Sequence, residues 1–179
     1  TFPIIVTATE SGSNCAGTGT TYTLVIGCPT ITVGTPTGSG APGATYSSSV
    51  AATPSVSTPM NYQYSLANNT TLPPGLSLNS STGAITGTPT APGNVSFDIR
   101  AELFNSNTTT GCSVTATRSI NITCPATATL YVNATVAGGL GDGSSWANAL
   151  PTLSAALARA SGCSNVTQIW VAQGTYKPT

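Results

Sequence analysis

Apolar and polar residues alternate along two stretches in the middle of the chain. Between Asn94 and Leu103, and again between Ser113 and Thr123, the apolar residues recur at nearly every second position. Successive side chains of a strand point to opposite faces, so this pattern predicts two half-buried antiparallel strands. The predicted inward residues are Val95, Phe97, Ile99, Ala101 and Leu103 in the first strand and Val114, Ala116, Ile120 and Ile122 in the second. Arg118 interrupts the inward row, so we expect an edge or end position where its guanidinium extends toward water.

Shorter runs with strand character precede this pair and are bounded by Gly, Pro and Ser clusters. They are Thr30–Val33, Tyr46–Ala51, Asn61–Ala67, Leu76–Leu78 and Ala84–Gly87. Seven short strands within about 95 residues, with a turn every 8 to 12 residues, are typical of a β-sandwich. We therefore predict one complete sandwich domain over residues 29–125.

The N-terminal segment repeats the end of that domain. Residues 1–29 and 92–125 each contain two strand-like runs around a polar loop, a Cys after the loop (Cys15, Cys112), and a final Cys-Pro (Cys28, Cys124). The repeat predicts that residues 1–28 are the last two strands of a preceding copy, completed by another segment or chain. With no initiator Met and no signal peptide, we expect a processed product or a segment of a longer protein.

The character of the sequence changes over residues 126–179. The pattern predicts a strand at 130–133, a glycine-rich loop at 138–143, a helix over 151–161 and a strand at 168–172. The helix is predicted from apolar residues at i, i+3, i+4 and i+7, which are Leu153, Ala156, Leu157 and Ala160. Pro151 suits its first turn and Gly162 its end.

Two parts of the sequence resemble known families. The order LPPGLSLNSSTGAITGTPTAPG over residues 72–93, followed by an alternating strand, is similar to the putative-immunoglobulin (cadherin-like) repeats of bacterial surface proteins. That resemblance implies an immunoglobulin-like sandwich that serves as an extracellular spacer or adhesion module. Residues 126–179, with the order YVNATVAGGLGDGSSWANALPTLSAALARA…QIWVAQGTYKP, resemble the opening of right-handed parallel β-helix surface domains, in which the helix caps the open end. The predicted fold class is all-β: an immunoglobulin-like sandwich flanked by a partial sandwich of two strands and a small strand–helix–strand segment.

Charge is scarce: four acidic residues, four basic residues and no histidine give 4% charged residues and a net charge of zero. Ordinary globular chains are about one quarter charged. A neutral chain has no long-range attraction for nucleic acid. The sequence also contains no run of about 20 apolar residues, so it does not predict a membrane-spanning helix. Because self-repulsion is also absent, association with neighbouring repeats or with other copies of the chain is the expected partnership.

The sequence offers little for chemistry. With no histidine and no Cys-x-x-Cys pair, we expect no metal site, no cofactor and no calcium, and the loop at 138–143 lacks the lysine of a phosphate-binding loop. Glu10 and Asp142 are isolated carboxylates, whereas general acid–base catalysis needs a positioned pair. We therefore expect no catalytic residues and no enzyme activity.

The cysteine spacing predicts cross-links between units. Cys112 and Cys124 lie at opposite ends of one strand, about 40 Å apart by the strand rise, which is too far for a disulfide. We predict Cys28–Cys112, which ties the incoming linker to the sandwich, and Cys124–Cys163, which ties the sandwich to the next segment. Cys15 is left unpaired or intermolecular. Such disulfides favour an extracellular location.

Eight asparagines stand two positions before Ser or Thr and are candidate glycosylation sites: Asn68, Asn69, Asn79, Asn94, Asn107, Asn121, Asn133 and Asn165. A threonine-rich chain also generates this pattern without any sugar being attached. Glycans are therefore one expected partner, and the sequence leaves both alternatives open.

The sequence supports one main functional hypothesis and two alternatives. The main hypothesis is a structural subunit of an extracellular bacterial fibre, sheath or stalk, assembled end to end through strand complementation and disulfides. The first alternative is a carbohydrate-binding adhesin module, with Trp146, Trp170, Tyr62, Tyr64 and Tyr176 as candidate platforms. The second is the non-catalytic part of a β-helix polysaccharide-degrading enzyme. Whether the isolated material is a long filament or a soluble monomer separates these hypotheses.

Overall fold

Strands dominate the secondary structure and confirm the predicted all-β fold class. A computed structural model describes residues 2–4, 7–9, 16–18, 22–24, 28–54, 61–105 and 108–177. It divides the chain into two units, Thr1–Thr30 and Ile31–Thr179. In the first unit, the outer strands β1 and β4 pair antiparallel, as do the inner strands β2 and β3. Their bounds are Phe2–Ile4 for β1, Thr7–Thr9 for β2, Ala16–Thr18 for β3 and Tyr22–Leu24 for β4.

The second unit begins with a sandwich, to which the described residues contribute eight strands. They form two three-stranded antiparallel sheets, ordered β6–β10–β9 and β12–β11–β8, and a two-stranded antiparallel sheet of β5 and β7. The strands are β5 Ile31–Val33, β6 Tyr46–Ser49, β7 Ala52–Pro54, β8 Asn61–Ala67, β9 Leu76–Leu78, β10 Ala84–Gly87, β11 Gly93–Asn105 and β12 Thr108–Ile122.

The alternating stretches form the long hairpin of β11 and β12 and bury the predicted face. In the β11 row, Phe97, Ile99, Ala101 and Leu103 are buried and Val95 is half-buried. In the β12 row, Ile120 and Ile122 are buried, and Val114 and Ala116 are half-buried. With residues from the other strands they form one core, whose members include Val33, Tyr46, Val50, Tyr64, Ile85, Phe97, Ile99 and Ile120. The period-two pattern was sufficient to predict this face because each strand has one face on the core and one in solvent.

One strand is shorter than predicted, and a strand that was not predicted follows it. Instead of running over 46–51, β6 ends at Ser49, and β7 begins at Ala52, beyond the predicted range, and joins a different sheet. Val50 is fully buried at the crossing, and its N–H donates to Gly83 O at 2.8 Å. Its carbonyl oxygen accepts from the N–H of Gly34 at 3.3 Å. The apolar run therefore supplies two sheets in turn, which periodicity alone does not reveal.

The motif Pro-Pro-Gly and the motif Gly-Thr-Pro meet in space. Gly75 (φ +91°) and Gly87 (φ +144°) both lie where side chains are rarely tolerated. A Cβ on Gly75 would collide with the carbonyl oxygen of Thr88, and one on Gly87 would collide with that of Gly75. The N–H of Thr88 donates to Gly75 O at 3.1 Å. Both glycines are needed because the two backbones touch.

Arg118 lies on β12, an edge strand of its sheet, as expected, and its half-buried side chain makes hydrogen bonds to backbone carbonyls. It donates to the carbonyl oxygens of Gly34 at 2.8 Å, Val33 at 2.6 Å and Thr117 at 2.7 Å. The carbonyl oxygens of Val33 and Gly34 lie at or just beyond the end of β5, so Arg118 connects β12 to that strand. The sequence did not reveal these two acceptors, because a neighbouring sheet presents them.

The C-terminal segment is a parallel strand–helix–strand unit with its own small core. Strands β13 (Thr129–Val132) and β14 (Gln168–Val171) pair in parallel, and helix α1 (Leu153–Gly162) lies between them in sequence. Leu130, Val132, Leu150 and Ala156 are buried together. The helix begins two residues later than predicted because Thr152 is its extended N-cap, whose hydroxyl accepts from Ala155 N at 3.2 Å.

The face that α1 buries differs from the predicted apolar stripe. Leu157 is 55% exposed, whereas Arg159 is only 4% exposed. The reason lies outside the helix, because α1 packs against the sandwich on the side of Arg159.

Candidate functional site: the joint between the sandwich and the C-terminal segment

A disulfide joins the sandwich to the C-terminal segment. Cys124 lies two residues after the end of β12, and Cys163 is the C-cap of α1. Their Cα atoms are 5.6 Å apart and their sulfurs are bonded, over a sequence separation of 39. These are the two residues that the sequence analysis pairs. Cys28 and Cys112 are disulfide-bonded as well, and the Cys28–Cys112 link stays a prediction. Cys15 lies outside the described residues.

Arg159 adds a polar contact beside the disulfide. Its Nε donates to the carbonyl oxygen of Pro42 in the sandwich at 3.2 Å, and its Nη1 donates to the carbonyl oxygen of Asp142. Burial lowers the pKa of Arg159, and the Asp142 carboxylate opposes that shift. The guanidinium is therefore a buried connector between the sandwich, the helix and the glycine-rich loop.

Close backbone packing completes the contact. A Cβ on Gly162 would lie 2.7 Å from Thr90 O and 2.8 Å from the Cβ of Pro42. A Cβ on Gly43 (φ +73°) would lie 2.9 Å from Arg159 N. The end of α1 thus lies directly on the sandwich. We call this region the joint and define it by Pro42, Cys124, Asp142, Arg159 and Cys163.

A cleft of about 490 Å³ lies along the joint. Asp142 and Arg159 line it, as do Leu140 and the Cys124-Pro125 segment. The Asp142 carboxylate accepts from Ser144 N at 2.9 Å, and hydrogen bonds from Ser144 lower its pKa. Both charged groups are therefore engaged in holding the loop and the helix.

The remaining acidic residues of the described chain are also engaged. Asp98 accepts from Thr117 Oγ1 at 2.6 Å and from Asn68 Nδ2 at 2.7 Å, and these two bonds lower its pKa. Glu102 pairs with Arg100 at 2.6 Å. Glu10 lies outside the described residues. The part of the chain that the structure describes contains no group of three or more histidine, cysteine or acidic residues that could hold a metal ion.

These pKa shifts predict a wide pH plateau of stability. Asp98 and Asp142 have lowered pKa values in the folded state. Their contribution to the free energy of unfolding is therefore present above pH 3.8, the ordinary pKa, and is lost as the pH falls through the folded-state values. Desolvation and the neighbouring Tyr64 raise the pKa of Tyr62, so its contribution is present below pH 10.0 and is lost as the pH rises through the folded-state value. With no histidine in the chain, we expect a constant Tm between about pH 5 and 9. Thermal melts followed by circular dichroism across this range test it. A Tm that drifts by many degrees would contradict it.

The candidate aromatic residues separate into two groups. Tyr62 and Tyr64 belong to the sandwich core, and Tyr176 packs on the small core of the C-terminal segment. Trp146 and Trp170 are 44% and 50% exposed. Each indole makes an edge contact with Tyr131, at centroid distances of 4.9 and 5.7 Å. Tyr131 is not among the aromatic residues predicted from the sequence, although strand alternation places it on the same face as Trp170 once β13 and β14 are paired in register.

Most candidate glycosylation sites lie at the surface. Asn133 is half-buried, Asn107 lies outside the described residues, and the other six are exposed: Asn68, Asn69, Asn79, Asn94, Asn121 and Asn165. Asn94 and Asn121 are opposite each other on the β11–β12 hairpin. The side-chain nitrogen of Asn165 donates to Pro125 O at 2.7 Å, so this residue already supports the segment that leads from Cys124.

The fold and the joint define an immunoglobulin-like sandwich module locked to a following segment. Residues 29–123 match the family described as "Putative Ig domain", and because this is more than half of the chain, the chain belongs to that family. No helix in the described residues is long and apolar enough to cross a membrane.

Comparisons with other proteins add little to this assignment. No curated protein matches the sequence significantly. Among solved structures, a putative alpha-galactosidase/melibiase from Bacteroides fragilis matches 57% of this chain at 20% identity, with a TM-score of 0.38. A second putative alpha-galactosidase from that organism also matches 57% at 20% identity, with a TM-score of 0.36. The chain spans only about a fifth of the length of either structure.

Proposed function

We propose that this chain is a structural segment of an extracellular fibre, sheath or stalk, in which successive modules are fixed end to end. The observation that carries the proposal is the joint. A flexible linker between modules is usually rich in Gly, Pro or Ser and makes few contacts. Here the link combines a disulfide, a buried arginine and direct backbone packing.

The disulfide also suits a segment that bears tension. A pulling force that enters at Cys124 and leaves beyond Cys163 passes through the sulfur–sulfur bond. The 38 residues between the two cysteines carry none of that load, since the sequence separation is 39. A β-helix or any other domain that follows the segment would then be pulled through a covalent connection.

Further support comes from the family and from the composition. The chain belongs to an immunoglobulin-like family, and stable disulfides are characteristic of oxidising, extracellular compartments. A net charge of zero leaves copies without electrostatic repulsion. In the proposed assembly, residues 1–28 complete a sandwich with strands of a preceding repeat or a second chain, as in other cases of strand addition.

The proposed role is not catalytic. Asp98 and Glu102 lie four residues apart on one strand, which the strand rise places about 13 Å apart. Glycoside hydrolysis uses carboxylates about 5 to 9.5 Å apart. Each of these two carboxylates is also already paired within the sandwich.

Electron microscopy of the material from its native source tests the proposal. We expect long, thin filaments or stalks that label with antibody against the 29–125 sandwich, and we expect them to shorten under reducing conditions. Material that stays monomeric at every concentration in sedimentation velocity, with no labelled filament in the micrographs, would reject the structural role.

A further inference from the structure

Three aromatic rings form an exposed cluster on the C-terminal segment. Tyr131 lies between Trp146 and Trp170 in space, and its ring contacts both indoles. About half of each indole is accessible to water. Large exposed aromatic groups in a cluster mark binding sites more often than single exposed apolar residues do. We call these three residues the aromatic platform.

The rings are held in fixed orientations. The interplanar angles to Tyr131 are 66° for Trp146 and 75° for Trp170, so both contacts are edge-to-face. Two such contacts occupy at most two of the six ring faces. Trp170 Nε1 also donates to Gln168 Oε1 at 3.0 Å, which restrains that ring further. Pre-oriented rings bind a ligand with a smaller loss of conformational entropy.

The platform lies on the face of the sheet opposite the core. Leu130 and Val132 are buried, and Ile169 packs with them on the inner face. Strand alternation and register place Thr129 and Tyr131, together with their partners Gln168 and Trp170, on the other face. A strand added at the edge of β14 would extend the sheet without covering this face, so continuation of the fold would leave the platform accessible.

The chemistry around the rings is polar and uncharged. Thr129 and Gln168 are opposite each other, one step along the strands from Tyr131 and Trp170. They offer a hydroxyl and an amide group beside the aromatic surface. None of the four residues on this face of β13 and β14 is charged. An anionic ligand such as nucleic acid would need basic residues here. An apolar partner would offer no hydrogen bond to the Thr129 hydroxyl or to the amide nitrogen of Gln168.

We propose that the aromatic platform binds a neutral polysaccharide. The C–H-rich face of a sugar ring packs on the negatively polarised face of an indole. The hydroxyl groups at the edge of that sugar ring hydrogen-bond to the Gln168 amide and the Thr129 hydroxyl. This binding role goes beyond the structural role proposed above and does not depend on end-to-end assembly.

The chain provides its own reporter, because its only two tryptophans are Trp146 and Trp170. Titration of the intact protein with soluble neutral polysaccharides, namely β-glucan, xyloglucan and galactomannan, is expected to give a saturable change in tryptophan emission with at least one of them. Trp146→Ala and Trp170→Ala are each expected to weaken that binding about tenfold, as affinity gel electrophoresis would measure it. The remaining tryptophan still reports binding in each variant.

Leu157→Ala is the matched control. It removes a large exposed side chain from helix α1 and should leave both the emission change and the affinity unchanged. Circular dichroism melts of all three variants establish that they are folded. No emission change with any of the neutral polysaccharides would overturn the proposal, as would equal affinity in the tryptophan variants and the control. Sedimentation velocity adds a further test. If the platform instead pairs two copies of the chain, the protein should self-associate, Trp170→Ala should abolish that association, and no polysaccharide should retard the protein in the affinity gel. That outcome would overturn the proposal.

Discussion

Removal of the Cys124–Cys163 disulfide is expected to lower the free energy of unfolding by about 4 kcal/mol. The estimate follows from the loop of 39 residues that the bond closes in the unfolded chain. For a unit of this size, the loss corresponds to a fall in Tm of about 10 °C. Cys124→Ala and Cys163→Ala, singly and together, are measured by thermal and urea unfolding. Alanine is preferred to serine because Cys163 is fully buried.

The single variants provide the internal control. Either change alone breaks the bond, so each single variant should be about as unstable as the double variant. Losses that add up in the double variant would mean that the two sulfurs act through separate packing contacts, which would contradict the loop-closure explanation. Chemical reduction is a poorer test because Cys28 and Cys112 are disulfide-bonded too.

Trypsin reports whether the loss is located at the joint. Arg159 is buried in the intact joint. Opening of the joint would expose the peptide bond that follows Arg159, which is the bond that trypsin cleaves. We expect rapid cleavage after Arg159 in the double variant and slow cleavage in the parent protein, both followed on reducing gels. Equal rates would place the destabilisation elsewhere.

The sequence predicted the parts of this fold that depend on local periodicity. The β11–β12 hairpin and its buried face follow from alternation, since those strands have one wet and one dry side. The existence of the helix follows from its apolar repeat, but its start does not, because the N-cap is Thr152 and Pro151 precedes it. The motifs at 72–76 and 87–89 indicated the immunoglobulin-like fold. Their glycines are required because the backbones of Gly75 and Gly87 are in contact, which leaves no space for a larger residue.

The parts that the sequence did not predict depend on contacts between elements. Val50 lies in an apolar run, and only the two sheets around it determine that the chain changes sheet there. Arg118 and Arg159 resemble surface residues in sequence, yet each donates to backbone carbonyls of a distant segment. No local pattern encodes such acceptors. Tyr131 became part of the aromatic platform only when the parallel register of β13 and β14 was known.

Replacement of Arg159 with leucine is expected to destabilise the joint by about 2 to 4 kcal/mol, the second large effect. The change leaves the buried carbonyl oxygen of Pro42 and the half-buried carbonyl oxygen of Asp142 without their donor. Arg159→Lys keeps the charge but cannot reproduce the forked geometry, so an intermediate loss is expected. Urea unfolding measures both variants.

Arg100→Gln is the matched control, because it also removes a guanidinium. Arg100 is 39% exposed and pairs with Glu102 at the surface, and such pairs contribute less than about 1 kcal/mol. If Arg159→Leu proved as stable as the parent protein, leucine packing would have replaced the polar contact, and the disulfide alone would hold the joint.

If instead the arginine and the disulfide support the same joint, Arg159→Leu in the Cys124→Ala/Cys163→Ala background should separate unfolding into two transitions. The first would be loss of the C-terminal segment, and the second would be unfolding of the sandwich.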